Sequence, residues 1–145
     1  MNISIAPLIG GLAGTAAMTL LLQIPKWIGI GNIDIIRAVG ALVTRKQEGA
    51  FLPGLIIHFG AGIIFAYAYV FFLSLSHIPM NPLSGLFLGS LHGAVIMLLV
   101  SIMILEHHPI AYYHERGPMT GFSQLLAHMV YGLIVGTVVH LMAWD

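Results

Sequence analysis

Four long apolar runs dominate this chain and leave few folds open to it. They extend from about Ser4 to Ile24, from Pro53 to Leu75, from Pro82 to Leu105 and from Thr120 to Trp144. Each run is long enough to cross about 30 Å of hydrocarbon as a helix. Helices are expected because lipid offers no partners for open backbone groups, and the runs lack the two-residue alternation of a membrane β-barrel. The sequence predicts one membrane domain, residues 1–145, folded as an all-α integral membrane four-helix bundle.

The composition supports contact with a lipid bilayer and argues against several functions. Of the 145 residues 59% are hydrophobic and 7% are charged, whereas soluble proteins carry about 25% charged residues. A formal net charge of zero argues against a nucleic-acid partner. The chain has no cysteine, no phosphate-binding glycine loop and no pair of carboxylates inside an apolar run. These absences favour a protein that is not an enzyme.

The connection between the first two runs predicts a fifth, shorter helix at about residues 32–44. Asn32 is a suitable N-cap, and Asp34 would place a negative charge in the first turn. Ile33, Ile36 and Gly40 share one face, and Arg37 and Arg45 lie outside it. This pattern is typical of an amphipathic helix lying in the membrane interface. The alternative is a solvated loop that contains some apolar residues.

The basic residues predict how the chain is oriented. All five lie in the first and third connections, on one side of a four-span topology: Lys26, Arg37, Arg45, Lys46 and Arg116. The positive-inside rule makes that side cytoplasmic. We therefore expect a multi-pass protein of the cell (inner) membrane with both termini on the non-cytoplasmic side.

Small residues recur every four positions in the third and fourth runs. Gly85, Gly89 and Gly93 form one stripe, and Gly132 and Gly136 form another. Such stripes let helix backbones approach closely in lipid. They predict tight helix packing, within this chain, in self-association or against other membrane subunits.

Three histidines lie inside apolar runs, beside or on stripes of small residues. A polar ring in hydrocarbon costs free energy unless it has a partner, so His58, His92 and His128 are expected to face protein. At about 1.5 Å per residue, His58 lies roughly 8 Å and His128 roughly 12 Å from the cytoplasmic ends of their spans. His92 lies roughly 20 Å from that side. We therefore expect His58 and His128 to meet and His92 to stand apart.

The third connection, EHHPIAYYHERGPM, adds candidate ligands at the cytoplasmic face. Imidazole and carboxylate groups suit Zn, Cu or Fe, which makes a metal site of His58, His128, Glu106 and His107 conceivable. Two interior histidines on facing helices can instead hold haem b, with His58 and His128 as its axial ligands. The alternative is that these histidines are structural and hydrogen-bonded across helix interfaces.

Several segments together resemble a family of small bacterial four-span membrane proteins of unknown function. They include GGLAGTAAMTLLL in the first run, LIIHFGAG in the second and HMVYG in the fourth. His58 and the set His128, Tyr131 and Gly132 match that family's pattern best. His92 and the Glu106-His107-His108 stretch depart from it. The resemblance implies the four-span fold and supplies no activity.

Three functions are compatible with these features. The first is a non-catalytic accessory subunit of a larger respiratory or redox-type membrane complex, expected from the small size and the glycine stripes. The second is a haem- or metal-binding membrane protein that uses the interior histidines. The third is a small transporter or channel with a histidine-lined path.

Overall fold

The chain folds into α-helices joined by short connections. The computed structural model describes residues 5–27, 34–114 and 119–142, and this part of the chain contains five α-helices: α1 (Ala6–Trp27), α2 (Ile35–Thr44), α3 (Phe51–Leu75), α4 (Pro82–Val100) and α5 (Met119–Met142). A π-helical segment, Ser101–Glu106, continues α4, and a 3₁₀ turn covers Ala111–Tyr113. Four of the helices are long and apolar enough to cross a membrane. The predicted all-α bundle is confirmed.

The helix ends explain small differences from the predicted spans. α1 continues to Trp27 instead of ending at Ile24. α3 begins at Phe51, so Pro53 lies in the first turn. The N–H groups of a first turn have no partner within the helix, so proline, which lacks an N–H, costs no hydrogen bond there. Trp144, the last residue of the fourth predicted run, lies outside the described residues.

A tight turn joins α3 to α4. The N–H of Ile78 donates to the Leu73 carbonyl oxygen at 3.0 Å while His77 adopts a left-handed conformation, which is a Schellman ending. Asn81 then caps α4, because its side chain accepts from the N–H groups of Leu83 and Ser84. The turn therefore sets α3 and α4 antiparallel without a long loop.

The glycine stripes of α4 and α5 pack directly against each other. A Cβ atom on Gly132 would lie 2.2 Å from the Gly85 carbonyl oxygen, and one on Gly89 would lie 2.4 Å from the His128 carbonyl oxygen. Gly136 likewise leaves no room for a side chain against the start of α4. Because backbone cannot give way as a flexible side chain can, this contact also fixes the register of the two helices. Gly93 therefore lies beside His128.

α1 packs against both α5 and α3, so the four long helices follow the order α4, α5, α1, α3. Gly11 of α1 approaches the Gly62 carbonyl oxygen on α3, and Gly14 approaches Tyr131 on α5. The Tyr131 hydroxyl donates to the same Gly62 carbonyl oxygen, which ties α5 to α3. Within the described residues α3 and α4 do not pack along their lengths, and a gap lies between them.

α2 is buried on two faces. One face packs on α3 with the backbones in contact, since a Cβ atom on Gly40 would lie 1.9 Å from the Ala50 carbonyl oxygen. The other face, with Ala38 and Ala41, packs on Ile104 and Tyr113. The predicted short helix is therefore present, and the end of α4 and the third connection cover its second side.

The start of α2 also differs from its prediction. Asp34 is the N-cap, since its side chain accepts the Arg37 N–H at 3.0 Å. It had been expected inside the first turn of a helix beginning at about residue 32. The proposed cap Asn32 and the neighbouring Ile33 lie outside the described residues. The position of α2 in the membrane interface stays a prediction.

His108 fastens the third connection to α2. Its Nδ1 accepts the N–H of Ile110 at 3.0 Å, so the ring proton lies on Nε2 and is donated to the Ala38 carbonyl oxygen at 3.0 Å. The His108 ring packs edge-on against Tyr113, and His114 donates to the His108 carbonyl oxygen. His108 is 2% exposed. It is therefore a structural residue that holds α2 over the end of the bundle.

Candidate functional site

A cavity of about 290 Å³ occupies the gap between α3 and α4. α5 and α1 form its inner wall. Four wall residues, on both sides of the gap, are between 37% and 49% exposed: Ile57, Phe65, Leu99 and Met103. The cavity is therefore accessible between α3 and α4 from the outer surface of the bundle. Lipid surrounds that surface in a four-span membrane protein.

The wall of the cavity is mostly aliphatic. α4 and its π segment supply one stripe, which runs from His92 to Ile104. α2 closes the cavity near Ile104 with four apolar side chains: Ile35, Ile36, Val39 and Leu42. Among the described residues that line it there is no Asp, Glu, Lys or Arg. The cavity therefore offers a neutral environment with a few polar atoms.

His58 lines the cavity from α3 and is held by α1. Its Nε2 lies 3.1 Å from the Thr19 hydroxyl oxygen. That hydroxyl donates to the Thr15 carbonyl oxygen at 2.7 Å, so the His58 Nε2–H donates to Thr19. In the neutral ring the Nδ1 atom of His58 is then left with a lone pair.

His128 of α5 and His92 of α4 lie side by side in the lining of the cavity. The Nδ1–H of His128 donates to the Gln124 carbonyl oxygen at 2.7 Å, and its ring meets the His92 ring edge-to-face with centroids 4.7 Å apart. His92 also lies against Phe65, with ring centroids 4.0 Å apart. The two histidines therefore belong to one aromatic cluster at the inner part of the cavity.

Two buried polar atoms of the cavity residues have no hydrogen-bond partner. They are Nε2 of His92 and the side-chain nitrogen of Gln124. The other His92 nitrogen, Nδ1, lies 3.0 Å from the Tyr69 hydroxyl. The Tyr69 phenol is a good donor, so its hydroxyl donates to Nδ1 of His92. The neutral His92 ring then carries its own proton on Nε2. Both atoms are then unused donors.

A family model described as a family of unknown function, DUF6789, matches residues 1–144. The chain belongs to the DUF6789 family. No curated protein and no solved structure matches it. The resemblance to an uncharacterised family is thereby confirmed.

The motif that carried the resemblance joins three helices in this DUF6789 protein. His128 faces the cavity, Tyr131 bonds to Gly62 on α3, and Gly132 contacts Gly85 on α4. One turn of α5 therefore contacts both flanking walls of the cavity.

The structure brings together a different pair of histidines from the predicted one. His58 and His128 do line the same cavity, but the ring in contact with His128 is that of His92. The prediction that His92 stands apart is wrong. That prediction assumed that all spans end at the same depth in the membrane. The glycine contact instead shifts α4 along α5, so that His92 lies at the same height as His128.

Glu106 and His107 lie at the end of the π segment and do not line the cavity. Both are exposed; the His107 Nδ1–H donates to the Ile102 carbonyl oxygen at 2.9 Å, and Glu106 lies 3.9 Å from His107. Across residues 5–27, 34–114 and 119–142, no three His, Asp or Glu side chains form a group that could hold a metal ion.

Three further residues at the site were not predicted from the sequence: Gln124, Tyr69 and Thr19. Gln124 lies one helical turn before His128 inside an apolar span, and this spacing is the signal that could have identified it. Tyr69 lies seven residues after Gly62, which also places it on the inner face of α3.

Proposed function

We propose that this protein binds a small, neutral, apolar molecule of the bilayer in the cavity between α3 and α4. The observation that carries the proposal is a cavity open toward lipid, two of whose lining residues, His92 and Gln124, carry buried donors without partners. The body of the guest would lie against the aliphatic wall, and its polar end would lie at His92 and Gln124.

Two physical arguments support this function. A buried donor without a partner costs about 1–3 kcal/mol, so such atoms are uncommon unless a ligand or water satisfies them. Ligand sites typically enclose roughly 300–1,000 Å³ with apolar walls and a few polar groups. The cavity of about 290 Å³ lies at the lower end of that range and has that character.

Photolabelling in bilayers tests the proposal. The protein is reconstituted with a long-chain alkyl diazirine, irradiated and digested, and the labelled residues are mapped by mass spectrometry. Ala61 lines the cavity, and Ala61→Phe should fill it and suppress labelling of the cavity residues. Gly60→Phe is the matched control, because a Cβ atom at Gly60 meets no atom within 4 Å.

Two results would contradict the proposal. One is labelling confined to the lipid-facing surface of the wild-type protein. The other is cavity labelling that Ala61→Phe leaves unchanged while the variant keeps the wild-type melting temperature.

Haem binding by paired histidines is a weaker candidate. Two axial histidines must stand on opposite sides of the iron, whereas the rings of His92 and His128 touch each other. In the predicted pair, His58 and His128, each ring is hydrogen-bonded through one nitrogen and keeps a lone pair on the other, so this pair stays a prediction. An absorbance spectrum and metal analysis of the purified protein test this candidate and the metal site together.

The role of accessory subunit in a larger membrane complex stays a prediction. The glycine stripes that motivated it contact each other within the chain, so they supply no argument for an external partner. Copurification of larger membrane subunits at low detergent would support the role. The third candidate, a histidine-lined transporter or channel, also stays a prediction, and flux in liposomes tests it.

A further inference from the structure

The polar part of the cavity is specific enough to indicate the chemistry of the guest. We infer that the cavity receives the ring of an isoprenoid quinone, with a quinone carbonyl oxygen accepting from the Nε2–H of His92 and the side-chain amide of Gln124. This inference rests on the proposed function and names the ligand class of that site.

The two unused donors, on His92 and Gln124, need a hydrogen-bond acceptor from the guest. Gln124 is 2% exposed and its side-chain nitrogen has no partner, while the hydroxyl of Tyr69 accounts for the other nitrogen of His92. A carbonyl oxygen has two lone pairs and donates nothing, so it satisfies such donors without leaving a new group unpaired.

The lining excludes a charged head group. No charged side chain lines the described cavity, and an unpaired charge in an apolar site carries a large desolvation cost. The ligand is therefore neutral.

The depth of His92 favours a quinone over a lipid ester. His92 is ten residues into the span that begins at Pro82, roughly 15 Å along its axis and near the middle of the membrane. Ester groups of phospholipids stay at the edge of the hydrocarbon layer, beside their head groups. A quinone, whose polar atoms are carbonyl and ether oxygens, can bring them to this depth.

The surrounding side chains suit a flat ring with a long tail. The aromatic cluster of Phe65, His92 and Tyr131 lies at the inner part of the cavity, and aromatic rings pack well in offset or edge-on contacts. A volume of about 290 Å³ holds a ring and the first part of a tail. The rest of an isoprenoid chain leaves through the opening between α3 and α4 into the lipid.

A pair of matched probes tests this inference in lipid nanodiscs. The first is a benzoquinone with a short isoprenoid tail and carbon-13 at its carbonyls. The second is the dimethylbenzene with the same tail, which keeps a ring of similar shape but has no oxygen in place of the carbonyls. We expect the quinone to bind at least about tenfold more tightly, since two hydrogen bonds distinguish the probes. Its infrared carbonyl band should shift to lower frequency.

Three variants assign the effect to the donors. His92→Phe and Gln124→Met should each weaken quinone binding by about three- to tenfold and leave binding of the dimethylbenzene unchanged. Ser90→Ala is the control, because it removes a polar group from α4 that bonds within its own helix and does not line the cavity. Gln124→Met preserves the shape of the site, so the test does not depend on the folding of the His92 variant.

The outcomes separate this inference from the proposed function. Equal binding of both probes, abolished by Ala61→Phe, would overturn the quinone inference and leave the proposed function standing. So would an unshifted carbonyl band, or native material that contains bound ester lipids and no quinone. Binding of neither probe, with no cavity labelling by the diazirine, would overturn both.

Discussion

Gln124 is the residue whose environment most clearly serves something other than the fold. Its side chain is almost fully enclosed, yet the amide nitrogen has no partner. A side chain selected for stability alone would be apolar at this position, because an unmade hydrogen bond in a low-dielectric interior is expensive. The unpaired amide is explained if the site is completed by a ligand.

This environment makes opposite predictions for stability and for binding. Gln124→Met should raise the free energy of unfolding of the ligand-free protein by about 1 kcal/mol, because it removes an unsatisfied polar group while keeping the volume. The same change should weaken binding of a quinone. Thermal unfolding with and without the quinone measures both effects. A variant that loses stability in the ligand-free state would show that the amide has a structural partner.

His108 should behave in the opposite way, as a structural residue. His108→Phe should destabilise the protein by about 1–3 kcal/mol, because it removes the bond to the Ala38 carbonyl that holds the third connection on α2 and leaves the Ile110 N–H without its partner. The same substitution should increase the rate of amide hydrogen exchange in α2. His107→Phe is the matched control, since His107 is exposed, and it should change neither measurement by much. Equal effects of the two substitutions would contradict this assignment.

At the residue scale, the sequence predicted which histidines face protein better than it predicted which of their rings are in contact. Histidines in apolar runs were recognisable because their burial in lipid needs a reason, and all three line the cavity. Which ring touches which depends on the sliding of α4 along α5, and that offset is set by backbone contacts between glycines. Spacing along one helix contains no information about it.

At the scale of helices, the contact between α4 and α5 positions the site. Gly89→Ala should lower the free energy of unfolding by about 1–3 kcal/mol, because its Cβ atom would lie 2.4 Å from a backbone oxygen and the helices must separate. The separation moves His92 away from His128, so ligand binding should fall as well. Gly60→Ala is the control, and it should be neutral or slightly stabilising because the added Cβ meets open space. Thermal unfolding of both variants tests this account, and equal melting temperatures would contradict it.

The helices themselves were predictable because twenty or so apolar residues in lipid have few alternatives to a helix. α2 was the exception. Its hydrophobic pattern indicated a helix with one apolar face, but the third connection folds back and covers a second face through His108 and Tyr113. A contact between residues 70 positions apart leaves no periodic signal in either segment. The role of α2 as the end wall of the cavity was therefore invisible in the sequence.

At the scale of the whole molecule, the orientation in the membrane has a direct test. The chain contains no cysteine, so a single introduced cysteine is the only thiol of the protein that a maleimide can label. Ser76→Cys, in the turn after α3, should react with a membrane-impermeant maleimide in intact cells. Glu48→Cys, between α2 and α3, should react after permeabilisation only. The reverse pattern would show that the five basic residues do not set the orientation.

The central claim is that a neutral apolar molecule of the bilayer occupies the cavity between α3 and α4. The most direct measurement is to extract the protein with its surrounding lipid in polymer discs and to quantify every bound small molecule by mass spectrometry. Discs containing the wild-type protein should hold about one more neutral apolar molecule per protein than discs containing Ala61→Phe, and Gly60→Phe should resemble wild type. By the further inference, that molecule is a quinone. Identical contents in all three preparations would contradict the claim.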